Sequence, residues 1–233
     1  MSPNEEARSD QQVQEMFSRI APHYDLLNRL MTGWQDIRWR RFVIGKTNLP
    51  QDGYLLDLGT GTGDLAREAL KQYPSAHPVA ADFSLRMMRI GKENHLKPKG
   101  TWTAAHAGKL PFPENTFDAV VSGFLLRNLS DLMGSLREQY RVLKPEGRFV
   151  VLDTTKPSQN PFSPAVRFYL YTVIPALGKW VAGLEDDYTY LPESMDNFLR
   201  AEELLAYLAA VGYKKLEFKR FMLDTVAVHW GVK

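Results

Sequence analysis

The stretch Tyr54-Leu55-Leu56-Asp57-Leu58-Gly59-Thr60-Gly61-Thr62-Gly63-Asp64 decides the fold class. Its first half is a short apolar run of the kind that forms a strand buried on both faces. A glycine loop follows, and AREALKQY (Ala66–Tyr73) reads as a helix. That order places a turn able to approach a ligand closely at the carboxyl end of a parallel strand. Working outward, PVAAD (Pro78–Asp82) is the next strand and SLRMMRIGKEN (Ser84–Asn94) the next helix. FDAVVS (Phe117–Ser122), LMGSLREQYRVL (Leu132–Leu143) and GRFVVLD (Gly147–Asp153) repeat strand, helix, strand. Ala201–Val211 reads as a helix closed by Gly212, and KKLEFKRF (Lys214–Phe221) and DTVAVHWGVK (Asp224–Lys233) alternate as a terminal hairpin. The expected architecture is α/β: a doubly wound, mostly parallel seven-stranded sheet with a C-terminal antiparallel hairpin.

Ahead of this pattern, residues 1–10 are expected to be loose, and 11–233 to form one domain with a helical cap over 11–46. Val13, Met16, Phe17 and Ile20 fall on one helical face, with Asp10 placed to cap. Pro22 interrupts, and His23–Met31 resumes a helical pattern. Residues 154–199 hold five prolines and a cluster of aromatics, and are expected to form an inserted lid of short helices. Within it, the apolar stretch Phe162–Leu184 is broken by Pro164, Arg167, Pro175 and Lys179, so it does not read as a membrane span. It is suited to wall a pocket for a greasy ligand, to touch a membrane surface peripherally, or to pack on the core or a second copy in a homodimer.

The 233 residues carry 29 basic and 27 acidic side chains, and a net charge of +2 gives no field that would argue for nucleic acid. Absence of cysteine excludes disulfide frameworks, thiolate catalysis and cysteine metal sites. The start, MSPNEEARSDQQ, has no apolar h-region, so a cytoplasmic protein is expected. The five histidines (His23, His77, His95, His106, His229) show no pair at ligand spacing, and no metal is expected.

Charge narrows the ligand of the glycine loop. A dinucleotide site wants a small residue where Asp64 stands, because a carboxylate beside a pyrophosphate would cost roughly 4 kcal/mol at about 4 Å. S-adenosyl-L-methionine carries an ammonium and a sulfonium and no phosphate, so Asp57 and Asp64 favour it. Asp57, Gly59, Gly61, Thr62 and Gly63 are the expected cradle. Asp82, about twenty residues beyond the loop, suits the ribose hydroxyls. His106 and Ala107 lie in the loop expected to border the adenine.

The chain resembles the ubiquinone and menaquinone biosynthesis C-methyltransferases, class I S-adenosylmethionine-dependent enzymes. The residues that carry the likeness are Tyr24-Asp25 with Asn28 and Trp39, Arg127-Asn128, RVLKPEG (Arg141–Gly147), and VIP (Val173–Pro175). Gly178, Tyr188, Tyr190-Leu191, Glu193-Ser194 and the closing VAVHWGVK (Val226–Lys233) match as well. The chain departs from the family pattern at Leu27, Thr32, Asp36, His106, Leu125, Asp153, Thr155 and Leu184.

The resemblance implies a lipophilic quinol as substrate and methylation of its ring carbon, with demethylmenaquinol favoured over the ubiquinone-pathway acceptor. It implies catalytic roles for Arg127, Tyr24 and Asp25: Arg127 to stabilise a phenolate, Tyr24 to gate the cofactor. Read from residue type alone, Arg127 is rather a structural ion-pair partner and Tyr24 core packing. Asp25, His23 and Asp153 are the candidate bases. Another lipid or phenolic acceptor, and a non-catalytic cofactor-binding subunit, are the rival readings.

Overall fold

The computed structural model describes residues 10–94, 100–156, 163–174, 176–177, 180, 194–195 and 197–233. Three helices come first: α1 (Asp10–Ile20), α2 (Tyr24–Thr32) and α3 (Gln35–Lys46). The alternating part follows as β1 (Tyr54–Leu58), α4 (Asp64–Gln72), β2 (His77–Asp82), α5 (Leu85–Asn94), β3 (Thr101–Ala104) and β4 (Phe117–Gly123). Next come α6 (Leu132–Val142), β5 (Leu143–Thr154), α7 (Ser163–Phe168), α8 (Ala201–Val211), β6 (Lys214–Phe221) and β7 (Val226–Val232).

The seven strands form one sheet in the order β3-β2-β1-β4-β5-β7-β6. Pairings from β3 to β5 are parallel, and β7 inserts antiparallel between β5 and β6. The strand order reverses between β1 and β4, which opens a crevice beyond their carboxyl ends.

Successive residues of the central strands point to opposite faces. Leu56, Val120, Phe149 and Val151 join a core with Leu136, Leu204 and Leu208 on one face. Leu55, Val121, Val150 and Leu152 join Trp39, Val43, Ile44 and Leu65 on the other. A third cluster lies off the sheet, where Ile20, Leu27 and Met31 pack against Leu170, Ile174 and Met195.

Of the lid expected over 154–199, Thr154 instead closes β5, and α7 runs on into a π-helical turn over Tyr169–Val173. Tyr169 Oη donates to the Met31 carbonyl at 2.6 Å, tying this segment to the end of α2. Positions 178, 184, 188, 190–191 and 193, named above for the resemblance, lie outside the described residues. No helix among the described residues is long and apolar enough to cross a membrane.

The cap is fastened to the sheet domain by charge. Asp36, fully buried, receives the guanidinium groups of both Arg29 and Arg40. Each of those arginines also reaches Asp64 Oδ2 at 3.0 Å, and Arg67 closes on its other oxygen. Helix α3 and the first turn of α4 are therefore joined by five charges held largely away from water. Removing one member of such a cluster strands its partners, at a cost of about 3–5 kcal/mol. We expect Asp36→Ala to lose about that much in denaturant unfolding; an unchanged midpoint and slope would show that the arginines find water instead.

Candidate functional site

Two clefts open beyond the carboxyl ends of the strands, with about 660 Å³ and about 830 Å³ of space that is continuous with solvent. The first lies at the crevice between β1 and β4. Its walls are Leu58, Gly59 and Gly61 after β1, Asp82 and Phe83 after β2, Ala105–Ala107 after β3, and Gly123–Leu125 after β4. Asp10, Val13 and Phe17 of α1 cover it.

The glycine loop needs its glycines for conformation as well as for space. Gly59 and Gly61 hold φ at +65° and +57°, and a Cβ on Gly59 would meet Leu125 Cδ1 at 2.8 Å. Asp57 holds the loop from behind: its Oδ2 accepts from the Thr60 hydroxyl at 2.6 Å and from the Ala66 amide at 3.0 Å. Burial pushes its carboxyl up to about 7. Thr62 turns its hydroxyl to Asp25 Oδ1 at 2.6 Å, linking the loop to α2.

Asp82 faces the first cleft. One carboxylate oxygen accepts the Gly61 N–H at 2.8 Å and the other the Ser84 N–H at 2.8 Å, so the carboxylate also braces the two loops around it. Burial raises its pKa. His106 Nδ1 accepts from the Gly108 amide at 3.1 Å, which leaves the ring proton on Nε2, 2.9 Å from Asp10 Oδ2.

The second cleft lies between the cap, the lid segment and the ends of β4, β5 and β7. Met16, Phe17, Ile20, Met31, Trp39, Leu170, Ile174 and Met195 make it apolar, and Tyr24, Asn28, Arg127 and Thr154 add polar points. Four methionines in its lining (Met16, Met31, Met195, Met222) give a wall that adapts to a flexible apolar guest.

Arg127 enters this cleft from the 3₁₀ turn after β4. Its Nη1 donates to Asp153 Oδ1 at 2.7 Å, with the two side chains 7% and 2% exposed. Its guanidinium also lies 5.3 Å from the centre of the Phe124 ring. Arg127 Nε and Thr154 Oγ are buried and have no hydrogen-bond partner among the described residues, though both residues line the cleft. Buried polar atoms without partners are uncommon and mark where a ligand's polar group would be welcome.

Phe17, Tyr24 and Phe124 belong to both linings, so the clefts share a wall. Phe124 is held at φ +59°, an unfavourable conformation for a bulky side chain and of a kind found at functional sites. Burial pushes the Tyr24 hydroxyl up, and Asn28 and the charges of Arg40 and Arg127 pull it back only in part, so Tyr24 stays neutral.

The geometry corrects several expectations. Asp10 does not cap α1; its carboxylate reaches His106 and the Ser130 hydroxyl. Asp64 does not lend its charge to a ligand, because the guanidinium groups of Arg40, Arg67 and Arg29 outweigh burial and hold its pKa low. Among the expected cofactor residues, Gly59, Gly61, Asp82, His106 and Ala107 line the first cleft, whereas Asp57, Thr62 and Gly63 stand behind it. Arg127 and Tyr24 line the second cleft, but Asp25, His23 and Asp153 line neither. Asp153 is already engaged by Arg127 and by the Thr154 amide. The sequence does not mark Phe17, Phe124, Asp10 or Thr154 as cleft residues; Phe17 and Asp10 read there only as the apolar stripe and the cap of α1.

Residues 5–233 match the model of the ubiE/COQ5 methyltransferase family. The chain belongs to that family. It is 46% identical over 221 residues to the ubiquinone/menaquinone biosynthesis C-methyltransferase UbiE of Desulfotalea psychrophila, covering 95% of this chain and 90% of the relative. It is 40% identical to the demethylmenaquinone methyltransferase of Thermus thermophilus, covering 93% and 99%. Among solved structures, the [4+2]-cyclase SpnF superposes with a TM-score of 0.73 at 20% identity, covering 97% of each chain. Phosphoethanolamine N-methyltransferase 2 of Haemonchus contortus, in complex with S-adenosyl-L-methionine, gives 0.61 at 15% identity, covering 84% and 52%. A cyclase and an N-methyltransferase on one scaffold show that the fold alone does not name the reaction; family membership does, and this chain is an S-adenosylmethionine-dependent methyltransferase.

The first cleft fits that cofactor. Its backbone approaches closely where side chains would intrude at Gly59 and Gly61, and its one deeply buried carboxylate, Asp82, suits hydroxyl donors.

Asp57 makes the loop sensitive to pH. Its folded pKa near 7 lies above the ordinary 3.8, so folding takes up a proton between those values. Its contribution to stability is complete below the unfolded pKa and is lost as pH rises through the folded one. In urea titrations from pH 4 to 8, Asp57→Asn should remove the part of the stability decline that falls between about pH 4 and 7; a parallel decline in both proteins would remove Asp57 as its source.

Proposed function

We propose that this methyltransferase acts on a ring carbon of a polyprenylated quinol, with demethylmenaquinol as the first acceptor to test and the ubiquinone-pathway quinol as the second. The observation that carries this reading is the shared wall. An apolar cleft whose lining residues Asn28, Arg127 and Thr154 each carry a buried polar atom without a hydrogen-bond partner among the described residues meets the cofactor cleft at Phe17, Tyr24 and Phe124. A ring with hydroxyls and a long apolar tail has the chemistry of that lining. The names of the Desulfotalea and Thermus relatives support the same acceptor class.

When bound, S-adenosylmethionine supplies an electrophilic methyl group on a sulfonium. The chain has to present a nucleophilic ring carbon in line with it and keep water out. Asp82 would receive the ribose hydroxyls, Gly59 and Gly61 would admit the amino-acid end, and Ala107 and Phe83 would flank the adenine. In the second cleft Arg127 Nε and Thr154 Oγ meet a ring hydroxyl. Loss of the hydroxyl proton, favoured by stabilising the conjugate base, raises electron density at the adjacent carbon; that carbon would bond to the methyl group as the methyl–sulfur bond breaks and its electron pair leaves on the neutral thioether, and would then lose its hydrogen as a proton. The described residues that line this cleft include no carboxylate or imidazole, and the reading hands the proton to solvent. Tyr24 and Phe124 hold the ring against the seam. Exposed Trp34, Phe168, Tyr171 and Trp180 lie on the cap and lid, and aromatic side chains of this kind suit a membrane interface from which a lipid acceptor would come.

Asp82→Asn should weaken binding of S-adenosylmethionine by about 1.5–3 kcal/mol in calorimetry. The alanine variant should also melt earlier, because it frees the Gly61 and Ser84 amides; unchanged affinity in both would take Asp82 out of the site.

Arg127 serves two purposes, and the two should separate. Arg127→Met alone should destabilise the chain by about 3–5 kcal/mol by leaving Asp153 uncompensated, and lower kcat on the order of 100-fold or more. Pairing it with Asp153→Asn should recover most of the stability and none of the turnover. A double variant that turns over a quinol normally would show that Arg127 acts only as a structural partner.

The reading as a whole is tested by lipid-extract mass spectrometry of a strain lacking the gene. Accumulation of a quinone short of one ring methyl, reversed by the intact gene, supports it; an unaltered quinone pool contradicts it.

A further inference from the structure

Helix α1 carries three polar side chains at four-residue spacing, which places them in one stripe. Each reaches a loop at the carboxyl edge of the sheet. Asp10 Oδ2 accepts a hydrogen bond from His106 Nε2 at 2.9 Å beyond β3, and its Oδ1 accepts one from the Ser130 hydroxyl at 2.9 Å beyond β4. Gln14 Nε2 donates to the Phe83 carbonyl at 2.6 Å beyond β2, and Ser18 Oγ lies 3.3 Å from Ser84 Oγ. The neighbouring stripe of the same helix turns Val13 and Phe17 into the first cleft. The helix therefore spans the cleft from the β2 loop to the β4 loop, covering what lies beneath.

We infer that α1 is a hinged roof over the cofactor cleft, and that Asp10 and Gln14 are positioning residues whose contacts keep it shut and so set how fast cofactor enters and leaves. The inference rests on the first cleft being the cofactor site. Two observations favour a roof that opens over a fixed wall. The Asp10–His106 pair is partly exposed, 39% and 49%, so water competes for it and it is individually weak. The chain also passes from α1 to α2 through a short turn over 21–23, a place where backbone dihedrals can absorb a swing while Ile20 and Phe17 stay packed beside Leu27 and Tyr24. Because Phe17 walls both clefts, a raised roof also takes apart the acceptor cleft, so methyl transfer requires the closed form.

A roof that must open before passage in either direction predicts a particular kinetic pattern. Weakening the latch raises the open population equally for entering and leaving ligand, so both rate constants rise and their ratio changes little. Stopped-flow binding of S-adenosylhomocysteine to the full chain reads this directly. Asp10→Ala and Gln14→Ala should each raise association and dissociation by about two- to fivefold, with Kd altered by less than about twofold. The chain has no cysteine, so Ser18→Cys with Ser84→Cys introduces the only thiols, at positions whose hydroxyl oxygens lie 3.3 Å apart. Oxidised, that double variant should slow both rates far below those of the unmodified chain, and reduction should restore them.

Unchanged rates in the latch variants, or a crosslinked protein that binds as fast as its reduced form, would overturn the roof while leaving the cofactor site intact. A rise in dissociation alone would overturn it in favour of direct contact between Asp10 and the ligand. Failure of the unmodified chain to bind the probe would remove the cofactor-site reading, and the roof with it.

Discussion

The buried charges that join Asp36 to Arg29 and Arg40, and these to Asp64 beside Arg67, are the constraint on which the rest of the molecule depends. The sheet domain by itself has a glycine loop and a crevice but no enclosed site. Enclosure comes from the cap, which contributes Phe17, Tyr24, Asn28, Met31 and Trp39 to the clefts. Apolar contact alone would let those helices slide. A cluster of five charges has few acceptable arrangements, because each carboxylate must keep its guanidinium partners once water is excluded. It fixes α2 and α3 against the first turn of α4, which is the turn that the glycine loop leads into. The Thr62–Asp25 hydrogen bond reinforces the same junction one residue before Gly63. The glycine loop and the wall of the second cleft are thereby set in one frame, the condition that in-line transfer between them would require.

Much of this architecture could be read along the chain because it is local. Leu55-Leu56 and Val120-Val121 are apolar runs with turns at their ends, and a helix follows each in sequence. The terminal hairpin was visible in its alternation, and the inserted position of β7 follows from its burial on both faces. β3 was not legible. Its four residues, TWTA, are half-exposed at the sheet edge and pair with β2 alone, so no apolar pattern marks them.

The site was legible where chemistry follows from a motif and illegible where it follows from contact. Gly59, Gly61 and Asp82 announce themselves by type and spacing. Asp64 misled, because the arginines that neutralise it come from α3 and α2 as well as its own helix, and a sequence cannot display a partner 35 positions away. Asp10 looked like a helix cap because it begins a helix; its partners His106 and Ser130 are brought to it only by the fold. The functional and structural readings of Arg127 were posed as alternatives, yet the geometry leaves room for both, with Nη1 on Asp153 and the residue in the lining of the second cleft.

The central claim is that the two clefts meet so that a methyl group passes from the sulfonium on one side to a ring carbon on the other. The most direct measurement uses purified protein, S-adenosylmethionine bearing a deuterated methyl group, and chemically reduced demethylmenaquinone with a short prenyl tail. The account requires a quinone product carrying the intact deuterated methyl on a ring carbon. Label found on oxygen, or a quinol left unmethylated by a protein that binds the cofactor, would contradict it.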